Sequence, residues 1–401
     1  MTTEQIDFIG SARIGDTGNL SEFCQRLFAS FSRADQRRWG EVYVRGLVSL
    51  PGRKTIRRIC DHVVGWRADQ SLQQFVNQSP WQWTPVRNRL ARELVATGRP
   101  RAIVLQDAVF PKNGCNSVGV ARQFAPAAGR LLNCQLGLAA FLAWDDRSVP
   151  VNWRLLLPRA WHDDAERRSR TRVPAGERHR PAWACGLDML DELLIDWDLP
   201  TVPLLADARF DRQAELLLRG LDERNVPYLV QVVENMPVAP PPRLTVAGST
   251  TDRPTTAGEV AIRARRLGHG VVTSRETADG RMSTVRFVLA PMQGALSRVR
   301  PYRANRAVLA EWTSGQGQPS AVYVTNLGQM RLPELIHLAR TRRQVAEDMT
   351  RLHDETGLGH FEGRSYPGWH HHVTLVSMAH AYRSAGPQCL TEDAWAARPS
   401  V

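Results

Sequence analysis

Two aspartates in strongly apolar segments are the residues of this chain best suited to chemistry. Asp107 lies in RAIVLQDAVF, and Asp207 follows the run VPLLA. A carboxylate in such a segment is costly unless it is paired or binds a metal ion. If both segments are strands of one sheet, the two carboxylates can share hard cations such as Mg2+, and two such ions support phosphoryl transfer. Taken alone, each aspartate also fits a strand cap or a turn residue.

The segments that carry these aspartates predict a mixed α/β fold. Residues 100–145 have the pattern of three strands, and SVPVNWRLLLP adds a short one. TVPLLADARF, DRQAELLLRGLDERN and PYLVQVVEN then follow as strand, helix and strand. Residues 332–356 and 369–383 return to helical periodicity. A meander followed by strand, helix and strand is typical of a mixed α/β domain.

The rest of the chain suggests further domains. Residues 1–98 have apolar positions at helical spacing, which predicts a helical domain. Residues 1–100 carry 15 Lys/Arg against 9 Asp/Glu. This excess of basic residues fits either a domain that binds DNA or an ordinary helical domain with a solvated basic face. Residues 236–320 are rich in Pro, Thr and Gly and predict a β-rich insertion. The predicted domains are therefore a helical domain (1–98), an α/β domain formed by two stretches (99–235 and 321–385), the insertion between them (236–320) and a C-terminal tail (386–401).

Composition favours an anionic partner. The net charge is +12, and only two of the 52 basic residues are lysines, Lys54 and Lys112. Arginine forks suit phosphate oxygens, so the excess favours nucleic acid, although genomic base composition also explains the arginine preference. The six scattered cysteines without a CxxC pair, and the lack of a signal or membrane-spanning segment, predict a cytoplasmic protein with reduced thiols.

Three longer motifs resemble those of a known protein family. QDAVFPKNG with NSVGVARQF, LLADARFD, and RRQVAEDM followed by GHFEGRSYPGWHHHVTLV resemble a DDE transposase of a bacterial insertion sequence. The branch is the one with the D-x-T-x-F-P-K-x-G and F-E-G-R-S-x-x-G-W-H motifs. The resemblance runs from about residue 20 to residue 385.

The resemblance implies both a fold and an activity. It implies an RNase H-like catalytic domain with a β-rich insertion, preceded by an all-helical DNA-binding domain. It also implies Mg2+- or Mn2+-dependent cleavage and transfer of double-stranded DNA at element ends, by a homodimer that pairs two ends in the bacterial cytoplasm, associated with the nucleoid. Asp107 and Asp207 match the first two metal-binding acids of the family.

The third acid of the family does not align cleanly. A gapless match places the usual ligand on Ala346 and the next acid on Glu347, within RRQVAEDMT. Neighbouring helical positions point about 100 degrees apart, so Glu347 serves as the ligand only if the helix is rotated or shifted. With this slip, the catalytic and metal-binding residues are Asp107, Asp207 and Glu347.

Four basic residues near these motifs are predicted to contact DNA. They are Lys112, Arg122, Arg342 and Arg364. The three successive histidines 370–372 cannot all bind one ion from a helix, because they face different sides. We expect them to form the polar start of a packing helix, with contacts to DNA phosphate as the alternative.

Two other functions are open at this point. Ala346 also fits a catalytically degenerate, domesticated DNA-binding protein derived from a transposase. The chain could also be an RNase H-like nuclease that acts on RNA or hybrids, which cleavage of an RNA–DNA hybrid would distinguish from cleavage of duplex DNA.

Overall fold

The computed structural model of the chain describes residues 17–385 except 212, 239–254, 269, 277–281, 293–305 and 314. The chain forms two compact units. The first comprises residues 1–101, 106–200 and 345–401, and the second comprises residues 102–105 and 201–344. The predicted tail 386–401, Cys389 and much of the predicted insertion lie outside the described residues.

Five helices begin the described chain, four strands follow them, and helices and strands are then mixed. The helices are α1 (Thr17–Leu27), α2 (Ala34–Ser49), α3 (Ile56–Val63), α4 (Asp69–Asn77), α5 (Trp83–Ala96), α6 (Ala165–Arg170), α7 (Ala182–Asp191), α8 (Ala214–Glu223), α9 (Ala257–Arg266), α10 (Leu332–Asp354) and α11 (Tyr366–Ala385). The strands are β1 (Ala102–Pro111), β2 (Ala121–Ala125), β3 (Arg130–Ala143), β4 (Ser148–Leu156), β5 (Leu204–Asp207), β6 (Tyr228–Val232), β7 (Pro237–Val238), β8 (Thr255–Thr256), β9 (Val271–Glu276), β10 (Met282–Pro291), β11 (Ala307–Thr313) and β12 (Ala321–Thr325).

Helix α11 lies at the centre of the first unit. It packs against α2, α4, α5 and β4, and nearly all of its side chains are buried, including Trp369 and Val373. A helix that is buried on every side lies inside a core and not at a surface. Helices α2, α4 and α5 therefore share their core with α11.

An antiparallel meander forms the strand layer of the first unit. Strand β3 pairs with β2 through its first half and with β4 through its second half. On its other side lies β1, whose residues 106–111 belong to this unit. Side chains on one face of β1, Ala108 and Phe110, are fully buried, which fixes the register of the strand.

The second unit contains a large mixed sheet. Its strand order is β1 (residues 102–105), β5, β6, β12, β11, β10, β9. The first three strands are parallel, and the remaining neighbours are antiparallel. Helix α8 connects β5 to β6 as the crossover that parallel neighbours require. Asp207, the last residue of β5, therefore lies at the carboxyl end of a parallel strand.

Most of the elements predicted from the sequence are present, so the mixed α/β class with N-terminal helices is confirmed. Helix α9 is the main addition, because it lies in the segment where only strands were expected. Thr256 accepts a hydrogen bond from the Glu259 backbone N–H, and the Glu259 side chain accepts one from the Thr256 N–H. This capping box satisfies N–H groups at the start of the helix.

No helix in the described part of the chain is long and apolar enough to cross a membrane.

Candidate functional site

Asp107 lies within β1, whose last strand residue is Pro111. Its side chain is half-buried and alternates with the fully buried Ala108 and Phe110. Successive side chains of a strand point to opposite faces, so Asp107 and Val109 share the more open face. The carboxylate therefore stands on the open face of a strand whose other face is fixed in the core of the first unit.

Asp207 in the second unit is held by two arginines. The Arg209 guanidinium donates to both carboxylate oxygens, with Nε 3.0 Å from Oδ1 and Nη2 2.7 Å from Oδ2. The backbone N–H of Arg209 also donates to Oδ1, at 3.1 Å. Nη1 of Arg342 on α10 lies 3.5 Å from Oδ2. The carboxylate is thus fixed by its own turn and by a helix packed beside it.

These contacts set the charge state of Asp207. Burial alone would raise the pKa of the carboxyl, but the hydrogen bonds from Arg209 and the charge of Arg342 outweigh burial and lower that pKa below its usual range. Arg342 also hydrogen-bonds Tyr323 of β12, and burial raises the pKa of that phenol. Asp207 is therefore ionised near neutral pH, which suits a ligand for a cation.

Glu347 is exposed on α10. In this part of the helix Val345, Met349 and Leu352 are buried and fix the rotation of the helix. Asp348 turns inward, where it accepts a 2.5 Å hydrogen bond from Ser148 Oγ and pairs with Arg351 at 2.6 Å. Of these two neighbouring acids, Asp348 is committed to packing and Glu347 faces solvent.

Ala346 lies on a different stripe of α10 from Glu347. At 3.6 residues per turn, positions 342, 346 and 353 fall close to one line along the helix. His353 on this stripe packs against the Phe110 ring, with ring centroids 5.7 Å apart, and burial lowers its pKa. The position that the family resemblance assigns to the third acid therefore carries a methyl group, and Glu347 occupies the next, exposed position of the helix.

Neither unit contains, among its described residues, a group of three His, Cys, Asp or Glu side chains that could hold a metal ion. Asp107, Asp207 and Glu347 are the acidic residues that stand at the positions of the three motifs. Their assignment as metal ligands stays a prediction.

A polar cavity of about 350 Å³ in the first unit is lined by two of the residues predicted to contact DNA. Lys112 and Arg364 both line it, together with Arg53 and His360. The Lys112 ammonium donates a 2.7 Å hydrogen bond to the Phe361 carbonyl, and burial lowers its pKa. Arg53, which pairs with Glu362 at 3.0 Å, was not predicted from the sequence. The two adjacent basic residues of the loop PGRK were the signal that could have indicated it.

The other two predicted contacts differ in accessibility. Arg122 is exposed on β2, on the same face as the exposed Phe124. Arg342, in contrast, is only 9% exposed and faces Asp207. Lys112, Arg122 and Arg364 are thus open to a ligand, whereas the guanidinium of Arg342 is already engaged.

The three histidines of α11 lie in the core of the first unit. His370, His371 and His372 are at most 1% exposed, and Arg87, which is fully buried, approaches His370 Nδ1 at 3.1 Å. Burial lowers the pKa of His371 to about 4 and that of His372 to about 3. Their predicted role in packing is confirmed, and the alternative of contact with DNA phosphate is wrong because no ring reaches the surface.

Comparison with known proteins gives three similarities. A family model described as DDE superfamily endonuclease matches residues 26–278. The probable transposase for insertion sequence element IS701 of Microchaete diplosiphon is 26% identical over 225 residues, and the chain spans 54% of the length of that relative. The cryo-EM structure of a piggyBac transposase synaptic complex with hairpin DNA is 9% identical, with a TM-score of 0.42 over 94% of this chain and 72% of that chain.

Proposed function

Because the chain belongs to the DDE superfamily endonuclease family, whose model matches more than half of it, we propose that it is a DNA transposase of an insertion sequence. In this proposal it binds the ends of its element and performs divalent-metal-dependent strand cleavage and transfer. The strands around Asp107 and Asp207 then belong to an RNase H-like catalytic domain, preceded by helices that bind DNA. A homodimer that pairs two element ends in the bacterial cytoplasm completes the proposal.

The observation that carries the proposal is the retention of both motif aspartates on strands. Asp107 is half-buried on the open face of β1, and Asp207 ends β5 with 22% of its side chain exposed. Each carboxylate is positioned by a rigid strand and is accessible to a ligand. Positioning by rigid elements is what a phosphoryl-transfer site needs, because little covalent work falls to the protein.

The proposed metal ligands are Asp107, Asp207 and Glu347. Their carboxylate oxygens are hard donors, which Mg2+ and Mn2+ prefer, and Asp207 is already ionised. A divalent cation bound there would supply charge stabilisation for the phosphate undergoing transfer. Arg209 stands against this fit, since it donates to the oxygens of Asp207 that a cation would use.

The basic residues of the first unit would hold the DNA. Lys112 is anchored by the Phe361 carbonyl at the wall of the polar cavity, and Arg364 lines the same cavity with an exposed side chain. Charge-assisted contacts from arginine and lysine to phosphate oxygens fix the register of a protein on a duplex. We assign Lys112, Arg364 and Arg53 to one phosphate-binding site, and Arg122 to a second contact on β2.

Cleavage of DNA that carries the element's own terminal sequences tests this function. Purified wild-type protein should nick such DNA in the presence of Mg2+ or Mn2+. Asp107→Ala and Asp207→Ala should abolish nicking while they preserve DNA binding in a mobility-shift assay. For the third acid, Glu347→Gln should abolish nicking, whereas Glu334→Gln, the same change earlier in α10, should not. Nicking that survives Asp107→Ala would refute the proposed site.

A second function is favoured by one observation. Ala346 occupies the helix position of the usual third ligand, and Glu347 lies on another stripe of α10. On this basis the chain would bind DNA without cutting it, as a protein derived from a transposase. Wild-type protein that binds terminal DNA but never nicks it, together with nicking by Ala346→Glu, would favour this second function. Nicking by wild type that Glu347→Gln removes would exclude it.

A further inference from the structure

Arg209 makes an unusually complete set of contacts with Asp207. Nε lies 3.0 Å from Oδ1 and 3.1 Å from Oδ2, and Nη2 lies 2.7 Å from Oδ2. The Arg209 backbone N–H adds a bond of 3.1 Å to Oδ1. A carboxylate has about four lone-pair sites on its two oxygens. The turn of two residues that follows β5 therefore directs an arginine onto the very oxygens that a metal ion would need.

The two arginines at Asp207 differ in their freedom to move. The Arg342 side chain is 10% exposed and also hydrogen-bonds Tyr323, which is buried. The Arg209 side chain is 42% exposed, and its guanidinium carbon lies 5.5 Å from the centre of the Phe210 ring, which is itself exposed. Arg209 can swing into solvent without disturbing the core, whereas Arg342 is held in place.

We infer that Arg209 is a built-in competitor of the divalent cation at Asp207, so that the cation binds only when the Arg209 side chain withdraws. The inference rests on the proposed function, because it takes Asp207 as a metal ligand. Arg342 remains beside the carboxylate in both states and keeps it in position. The chain would thus bind a cation more weakly than the same carboxylate would without Arg209.

Direct measurement of Mn2+ binding to the full chain, from the loss of the electron paramagnetic resonance signal of free Mn2+, tests the inference without any reading of activity. Arg209→Gln removes the competing charge and its fork, and should lower the Kd on the order of tenfold, which corresponds to about 1.4 kcal/mol. Arg209→Lys keeps the charge but loses the fork, and should lower the Kd by a smaller factor. The matched control is Arg219→Gln on α8, which removes an exposed arginine paired with Glu223 and should leave the Kd within about twofold, since exposed charges are well screened.

The possible results distinguish a failure of the competition by Arg209 from a failure of the proposed function. Mn2+ binding that Asp207→Asn does not weaken would refute the metal site itself, and with it the proposed function. Binding that depends on Asp207 but is equally tight in wild type and Arg209→Gln would leave the metal site standing and overturn the competition. An equal gain in Arg209→Gln and Arg219→Gln would also overturn it, because the effect would then be one of net charge.

Discussion

His372 is expected to make the first unit sensitive to mild acid. The ring is buried between Tyr43 and the loop before α11, with Nε2 3.0 Å from the Leu358 carbonyl and Nδ1 2.9 Å from the Tyr43 hydroxyl. A neutral ring with its proton on Nε2 satisfies both partners, since Nε2–H donates to the carbonyl and Nδ1 accepts from the hydroxyl. Burial, together with the nearby positive charge of Lys112, lowers the pKa of His372 to about 3.

The size of the effect follows from proton linkage. An unfolded chain binds a proton on this ring below about pH 6.5, whereas the folded protein does not. The contribution of His372 to stability is therefore complete above pH 6.5 and is lost as the pH falls from 6.5 towards 3. Between pH 7 and pH 5 the loss amounts to about 2 kcal/mol. Such a loss is a large part of the total free energy of unfolding of a typical domain.

Urea unfolding at pH 7 and pH 5, followed by tryptophan fluorescence, measures this loss. His372→Gln lacks the titrating ring, so its free energy of unfolding should fall by about 2 kcal/mol less than that of wild type over this interval. Tyr43→Phe is the matched control: it removes the hydroxyl partner and destabilises the protein by about 1 kcal/mol, yet it keeps the ring. Its pH dependence should resemble that of wild type.

Equal losses in wild type and His372→Gln would contradict this reasoning, because they would mean that the ring binds a proton as readily in the folded protein as in the unfolded chain.

Two further predictions concern helix packing and DNA. Gly46→Ala should destabilise the first unit by roughly 1–3 kcal/mol, since a Cβ at this position of α2 would lie 2.5 Å from Ile59 Cγ2 on α3. In thermal unfolding, the loss of stability caused by Gly46→Ala should be smaller when Ile59→Ala is also present. Arg364→Gln should weaken binding of duplex DNA at low salt and reduce the slope of log K against log salt by about 1, as measured by fluorescence anisotropy; an unchanged slope would remove Arg364 from the phosphate contacts.

The strands that carry the two aspartates could be predicted because local signals define them. The runs AIVL and VPLLA are apolar on both faces, and a charge that follows such a run stands out. Helix α9 was missed because its capping box lies in a segment rich in turn-forming residues, where composition favoured strands. Local hydrogen bonds, and not composition, decided the structure there.

The environment of the acids could not be predicted because it depends on tertiary packing. Only the burial of Val345 and Leu352 shows which way α10 is turned, and therefore that Glu347 faces solvent while Asp348 turns inward. The fork of Arg209 on Asp207 depends on the turn after β5. Arg53 reaches the cavity of Arg364 from a distant part of the sequence, which no spacing rule connects.

The first unit is assembled from three separated stretches of chain, and this has a consequence for synthesis on the ribosome. The rings of Phe23 on α1 and Tyr382 on α11 lie 5.6 Å apart, so a helix made early packs against one made more than 300 residues later. At about 5–20 residues per second, the apolar faces of α1–α5 wait on the order of 15–60 s for α11 to be made. We therefore expect the nascent chain to need chaperones until α11 is made. A chain truncated before α11 should be degraded rapidly and should not fold as an independent N-terminal domain.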